Sequence, residues 1–300
     1  MQVCFEGTWE TQMVELTDWI GRTNAVEDQI HAFPATALAA TLDHDRAPFT
    51  SGDPLPPLWH WLYFLPIFKM SDTNYDGHAA LGGFLPPVDL PRRMWAGSRL
   101  TFHQGLQIGA QATKHSEILD VRQRTGRSGA LVFVTVGHRL TQAGTCVLEE
   151  EHDIVYRAPP TEGQPAPTPR PAPKAAFGRK ITPSPVLLFR YSALTFNGHR
   201  IHYDQPFCTG SEGYEGLVVH GPLLATLMLD LLHREYPSAH VSRFEFRALA
   251  PVFDTTPFHV EGTEVDASTL RLWVRHENGT LAMEGTASIE HGSDGRGHDT

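Results

Sequence analysis

The chain of 300 residues is 41% apolar and carries a formal net charge of -10. That is more apolar material than one small core needs, and it is read as two units of about 130 to 150 residues. An acidic chain lacks the broad basic surface that nucleic acid or an anionic membrane requires of its main partner. Cys4, Cys146 and Cys208 are scattered and odd in number, which fits reduced thiols with structural or incidental roles. The longest apolar run, 216–232, contains His220 and Asp230 and is short for a bilayer span. No signal segment opens the chain, so a soluble, cytoplasmic protein is expected.

In chain order, the first predicted helix is PATALAATL from Pro34, extended to residues 34–43. Asp43, His44 and Asp45 read as its solvated end. Trp59, Trp61, Tyr63 and Phe64 form an aromatic cluster that suits either core packing or the roof of an acyl tunnel. Alternating strands follow, among them the run starting RLTFHQGL at Arg99, with a hairpin signal at 125–129. Seven prolines in the 15 positions from Pro159 to Pro173 exclude a helix or an inner strand and mark a linker. Beyond it, VLLFRYSALT (186–195) reads as a buried strand ended by the turn dipeptide Asn197-Gly198. A second apolar helix spans 221–235, and strands resume with RFEFRALA at Arg243 and a hairpin signal at 277–279. Each half thus places one helix before several strands, with RLTF against RFEF and Gly144-Thr145 against Gly279-Thr280 as a weak internal repeat. The order is α+β, one helix covering one antiparallel sheet, twice. Expected boundaries are 1–157, a linker at 158–176, a second unit at 177–290 and a disordered tail at 291–300.

The chemistry concentrates in FNGHRIHYD (196–204) and GLVVHGPLL (216–224). His202 on a loop at an element end suits proton transfer near neutral pH, and a hydrogen-bonded structural histidine is the plain alternative. Pro222 fits a first helical turn, and Gly221 permits close approach to free backbone N–H groups that can hold a developing oxyanion. The pattern points to acid/base chemistry on a carbonyl compound. His199, His202 and Asp204 have a metal-like spacing but no fourth ligand follows, so no metal is expected.

These residues resemble the MaoC-like (R)-specific enoyl-thioester hydratases and dehydratases. FRYSALTFNGHRIHYD and WIGRTNAVEDQIHAFPATALAATLDHD resemble the two-hot-dog branch that contains mesaconyl-CoA, itaconyl-CoA and mitochondrial-type 3-hydroxyacyl-thioester dehydratases. The resemblance implies a double hot-dog fold and a substrate that is itself a coenzyme A thioester, with no separate cofactor. It also implies catalysis by His202, a water-orienting Asn197 where the commoner pattern has aspartate, and an oxyanion site at Gly221. A homodimer is among the assemblies open to it.

Arg200, Arg190, Val219 and His220 are the substrate-binding candidates. If the loop is extended, Arg200 and His202 point the same way, and the guanidinium sits beside the reacting carbons, where a substrate carboxylate could pair with it. Pairing of Arg200 with Asp204 or Glu212 is the alternative. Arg92, Arg93, Arg179 and Lys180 are candidates for the coenzyme A phosphates. Two other classes share the motif: a thioesterase using Asp204 or Glu212, and a non-catalytic acyl-thioester module, which Asn197 favours.

Overall fold

The structure, a computed structural model, describes residues 15–126, 129–158 and 168–291. Cys4, the centre of the 125–129 turn, the first part of the linker (159–167) and the tail beyond 291 lie outside the described residues. Among the described residues, ten strands form one antiparallel sheet in the order β1-β3-β4-β5-β2-β7-β10-β9-β8-β6. The first five are β1 (Thr23–Gln29), β2 (Arg92–Phe102), β3 (Gln111–Gly126), β4 (Gly129–Gln142) and β5 (Thr145–Arg157). The second five are β6 (Phe177–Ile181), β7 (Ala239–Ala248), β8 (Phe258–Asp266), β9 (Thr269–His276) and β10 (Leu281–His291). The strand order of one half repeats in the other, reflected about the β2–β7 seam. At that seam Leu100 lies opposite Phe244, so the two runs that look alike in sequence are direct partners. The double hot-dog expectation holds.

Helix α1 (Ala32–Thr41) begins two residues earlier than expected and buries Ala35, Leu38 and Ala39. Helix α3 (Gly221–Glu235) has the expected limits, and every residue from Leu223 to Leu232 is buried. A helix apolar on all sides belongs inside, and the second half of the sheet wraps it. Asp230, alone among charged residues in that run, accepts from His44 Nε2 at 2.5 Å, Arg179 at 2.7 Å and Arg234 Nε at 2.9 Å. A lone buried carboxylate would be costly, and three donors offset that cost. His44 is therefore a clamp between the halves, not the solvated helix end that its neighbours suggested.

The predicted strand at 186–195 is a helix, α2 (Pro185–Leu194). Ser184 caps it by accepting the Leu187 N–H at 3.2 Å, and Pro185 occupies its first turn. Its buried residues, Leu188, Tyr191 and Ser192, recur at helical spacing, while Val186, Phe189 and Arg190 face out. The last linker residues are docked: Pro171 bridges Thr280, and Ala172 N–H donates to Gly279 O at 2.9 Å. Trp59, Tyr63 and Phe64 are buried, as core packing requires. No helix among the described residues is long and apolar enough to cross a membrane.

In the first half, Ser116, His138, Glu150 and Ser98 make a polar band across the sheet, separating the main core from a smaller cluster around Ile118, Val134 and Ile154. Glu150 accepts from His60 Nε2 (3.1 Å), Trp61 Nε1 (3.1 Å) and Ser98 Oγ (2.8 Å). Burial would raise its pKa, but the His60 bond and the surrounding imidazoles prevail and hold it below the carboxylate range. Glu150→Leu leaves three buried donors unpaired and is expected to cost about 3 kcal/mol or more in denaturant melts. A depressed pKa stabilises the fold above the unfolded value and loses that contribution as pH falls through the folded one, so the parent–variant gap should narrow in acid.

Candidate active site

The loop that carries His202, residues 196–211, is built by short-range capping. Asn197 Oδ1 accepts the His199 N–H at 3.0 Å, an Asx turn that opens the single 3-10 turn Arg200–His202. Asp204 Oδ1 takes the Phe207 N–H at 3.0 Å, starting the helical turn Phe207–Ser211. The thiol of Cys208, raised to about 11 mainly by burial, donates to Gly216 O at 2.9 Å and ties the loop to the segment that leads into α3. That segment pairs with residues after β7: Val219 N–H donates to Val252 O, and Asp254 N–H to Leu217 O.

His202 is buried at the end of the turn. Its Nδ1 lies 2.7 Å from Val218 O, so Nδ1 carries the proton and Nε2 is left as the acceptor. Burial, first of all, drives its pKa down to about 4, and the ring is a neutral base at physiological pH. Its face stacks on His220 at 3.6 Å, which places it beside the start of α3. His220 is fully buried and held by Ser192 at 2.8 Å. His220 and Val219 thus brace the site from beneath. At Gly221, half-exposed at the first helical position, an added Cβ would meet nothing within 4 Å. At the first helical position its N–H has no acceptor within the helix, which suits a thioester oxygen that gains charge.

Several expected contacts take another form. The loop at 200–202 is a turn, not extended, and Arg200 grips Asp204 Oδ2 through Nε (2.9 Å) and a terminal nitrogen (2.7 Å), stacks on Phe207 and donates to Tyr75 O. A guanidinium so engaged stiffens the loop. Arg190 is exposed on the outer face of α2. Among the basic residues expected at phosphates, Arg92 pairs with Glu212, Arg179 with Asp230 and Lys180 with Glu277. Only Arg93 of that group makes no ion pair among the described residues, and its charge helps to hold down the proton affinities of His78 and His199. Asp204 and Glu212 are each bound to an arginine, so neither is a free carboxylate for a thioesterase mechanism.

One part of the site lies far off in sequence. The loop 73–80 of the first half packs on the His202 loop: Asp76 O accepts the Arg200 N–H at 2.8 Å, and Gly77 abuts Gly198. Asp76, buried, holds His78 Nδ1 at 2.8 Å, and the His78 ring lies 4.0 Å from that of His199, itself 5.5 Å from His202. No local pattern around Tyr75-Asp76-Gly77-His78 signals this; the glycine is its one hint. Two surface clefts, over Arg99, His138 and Glu245 and over Asp153 and Arg271, hold none of these histidines.

Residues 58–254, which include loop 73–80, the His202 loop and α3, match the family model of hydroxyacyl-thioester dehydratase type 2. A mesaconyl-C(4)-CoA hydratase of Chloroflexus aurantiacus is 47% identical over 277 residues, covering 90% of this chain and 96% of that one. A mitochondrial hydroxyacyl-thioester dehydratase type 2 of Schizosaccharomyces pombe is 30% identical over 246 residues, covering 73% and 80%. A solved MaoC-like dehydratase from Phytophthora capsici shares the fold with a TM-score of 0.66 at 13% identity, covering 93% of this chain and 98% of that one. Matched over so much of its length, the chain belongs to the hydroxyacyl-thioester dehydratase type 2 family.

Proposed function

We propose that the protein adds water reversibly to an enoyl-CoA thioester whose short acyl group carries a free carboxylate, as mesaconyl-C4-CoA does. The observation that carries the reaction is the His202 tautomer: Nδ1 is fixed on Val218 O, and Nε2 is left as a free acceptor on a ring stacked against His220, the residue that precedes Gly221. Nε2 takes a proton from water as the oxygen bonds to the β-carbon. The π electrons move toward the thioester oxygen, where the Gly221 N–H holds the enolate, and His202 then returns the proton to the α-carbon. One water is consumed and His202 ends neutral. The reverse sequence dehydrates a 3-hydroxyacyl thioester. Asn197, whose carbonyl is committed to the His199 N–H, shapes the loop and keeps its amide N–H groups for the water.

Arg93 supports a carboxylate on the substrate. In mesaconyl-C4-CoA the carboxylate sits on the carbon that water attacks, so its anchor must lie beside the imidazoles. Arg93 is half-buried, bonds the Tyr156 side chain and makes no ion pair among the described residues, whereas Arg200 is taken by Asp204. Purified protein should consume the enoyl absorbance of mesaconyl-C4-CoA without releasing free thiol; thiol release would indicate a thioesterase, and no change a binding module. Arg93→Met should lower kcat/KM about a hundredfold on mesaconyl-C4-CoA and only a few-fold on crotonyl-CoA, the difference between losing a charged pair and losing a neighbour. Equal losses on both would leave the carboxylate without its anchor and favour a plain-chain substrate, as in a dehydratase of fatty-acid metabolism.

A further inference from the structure

A neutral base that becomes a cation in a buried site needs a compensating charge nearby. His202 is surrounded by His199 on its own loop, His220 at the start of α3 and His78 from the first half. Those three are imidazoles whose pKa values burial pushes down, so none supplies negative charge. Arg93 of β2 adds a positive charge near His78 and His199. On the loop, Asn197 is an amide and Asp204 is neutralised by Arg200. Among the described residues, the negative charge that meets this cluster is Asp76, through His78 and His199. Burial works to raise its pKa, but the hydrogen bond from His78 overrides that and holds it at about 2, so it is ionised. Asp76, His78 and His199 each bring a polar atom within 4.8 Å of the others.

We propose that Asp76, contributed by the first half of the chain, is the counter-charge of the imidazolium formed on His202, with His78 and His199 filling the space between them. The inference rests on the hydratase reading of His202. Asp76 acts through other groups and is a positioning residue: it stays a carboxylate throughout, and the only proton that moves is the one His202 takes from water and returns to carbon. The hydrogen bonds between the loops are accepted by main-chain oxygens of the first half, Asp76 O from the Arg200 N–H and Tyr75 O from the Arg200 side chain, while Asp76 Oδ1 takes the His78 N–H at 3.0 Å within its own loop, so Asp76→Asn, which keeps a side-chain oxygen there, is the least disruptive change.

The test is kinetic, with an independent check. Asp76→Asn should lower kcat about a hundredfold, the low end of a general acid/base contribution, while KM stays within about threefold. Asp76→Ala should regain part of kcat in sodium formate and none in formamide, because an anion is what is missing. A folded Asp76→Asn enzyme that keeps kcat within about threefold of the parent, or equal responses of Asp76→Ala to formate and formamide, would overturn the proposal. Should Asp76→Asn fail to fold, Asp76→Glu, which keeps a displaced carboxylate, should retain more activity than Asp76→Ala, and the reverse order counts against it. A 13C NMR titration of the histidine rings separates this from failure of the functional reading. Losing the carboxylate must move the His202 midpoint to lower pH even if no enoyl thioester is turned over, and an unmoved midpoint sinks the proposal.

Discussion

His202→Ala lowers kcat for hydration by about a hundredfold to ten-thousandfold, the span of a general acid/base group. The prediction follows from the unoccupied Nε2, the fixed tautomer and the stack on His220. The fold should survive, because the Ile201–Val218 backbone bond remains when the ring is gone, and the lost side-chain hydrogen bond is worth about 1 kcal/mol. In the parent, hydration needs the neutral ring, so kcat should rise through the His202 pKa of about 4 and stay level above it. Initial rates from acid to neutral pH, with thermal melts of parent and variant, check both statements. An acid limb at an ordinary histidine value would remove His202 as the base, and so would a variant with parental kcat.

Gly77→Ala should damage both stability and turnover. A Cβ at that position would stand 1.9 Å from Gly198 O, and φ is +92°, where a side chain is strained in any case. The backbone conformation alone costs about 1 to 2 kcal/mol. The collision cannot be relieved by a rotamer, since the obstacle is main chain, so one loop must move. Displacement of about 1 Å at a catalytic group can cost a hundredfold in rate. Gly52→Ala is the control: its φ is also +92°, but nothing lies within 4 Å of the added methyl. It should lose the conformational term in melts and keep kcat. If Gly77→Ala behaves like Gly52→Ala, the first-half loop is not mechanically coupled to the His202 loop.

The sequence was readable where the signal was local. The apolar run from Leu223 to Leu232 opening on Gly-Pro gave α3 its limits, and the resemblance of RLTF to RFEF anticipated the seam at which those strands meet. It failed at α2 because VLLFRYSALT is a short run with little polar contrast, which strand and helix explain alike. Ser184-Pro185 ahead of it was a helix-start signal that arbitrates correctly, since a capping serine and an N1 proline mean nothing to a strand. Arg200 was misplaced for a related reason: alternation holds only in extended chain, and Asn197 and Asp204 had the side chains to fold the loop into turns. Asp76 and His78 could not be found, because their proximity to His199 exists only once the sheet is closed. The same closure pairs Arg92 with Glu212 and Arg179 with Asp230.

The mirrored strand order about Leu100 and Phe244 gives the seam the form of an isologous contact, in which the same strand of two like units meets itself. Here both units are on one chain, so neither partner can dissociate and the edges of β2 and β7 never stand bare to template another sheet. Covalent fusion has a second effect. In an assembly of identical subunits, any change in one copy appears in the other, and every site must keep its own loop. In this chain the copies are free to diverge. One carries His202 at the start of its helix, while the other extends residues 73–80 across the molecule to meet that loop, an asymmetry that a symmetric pair could not sustain.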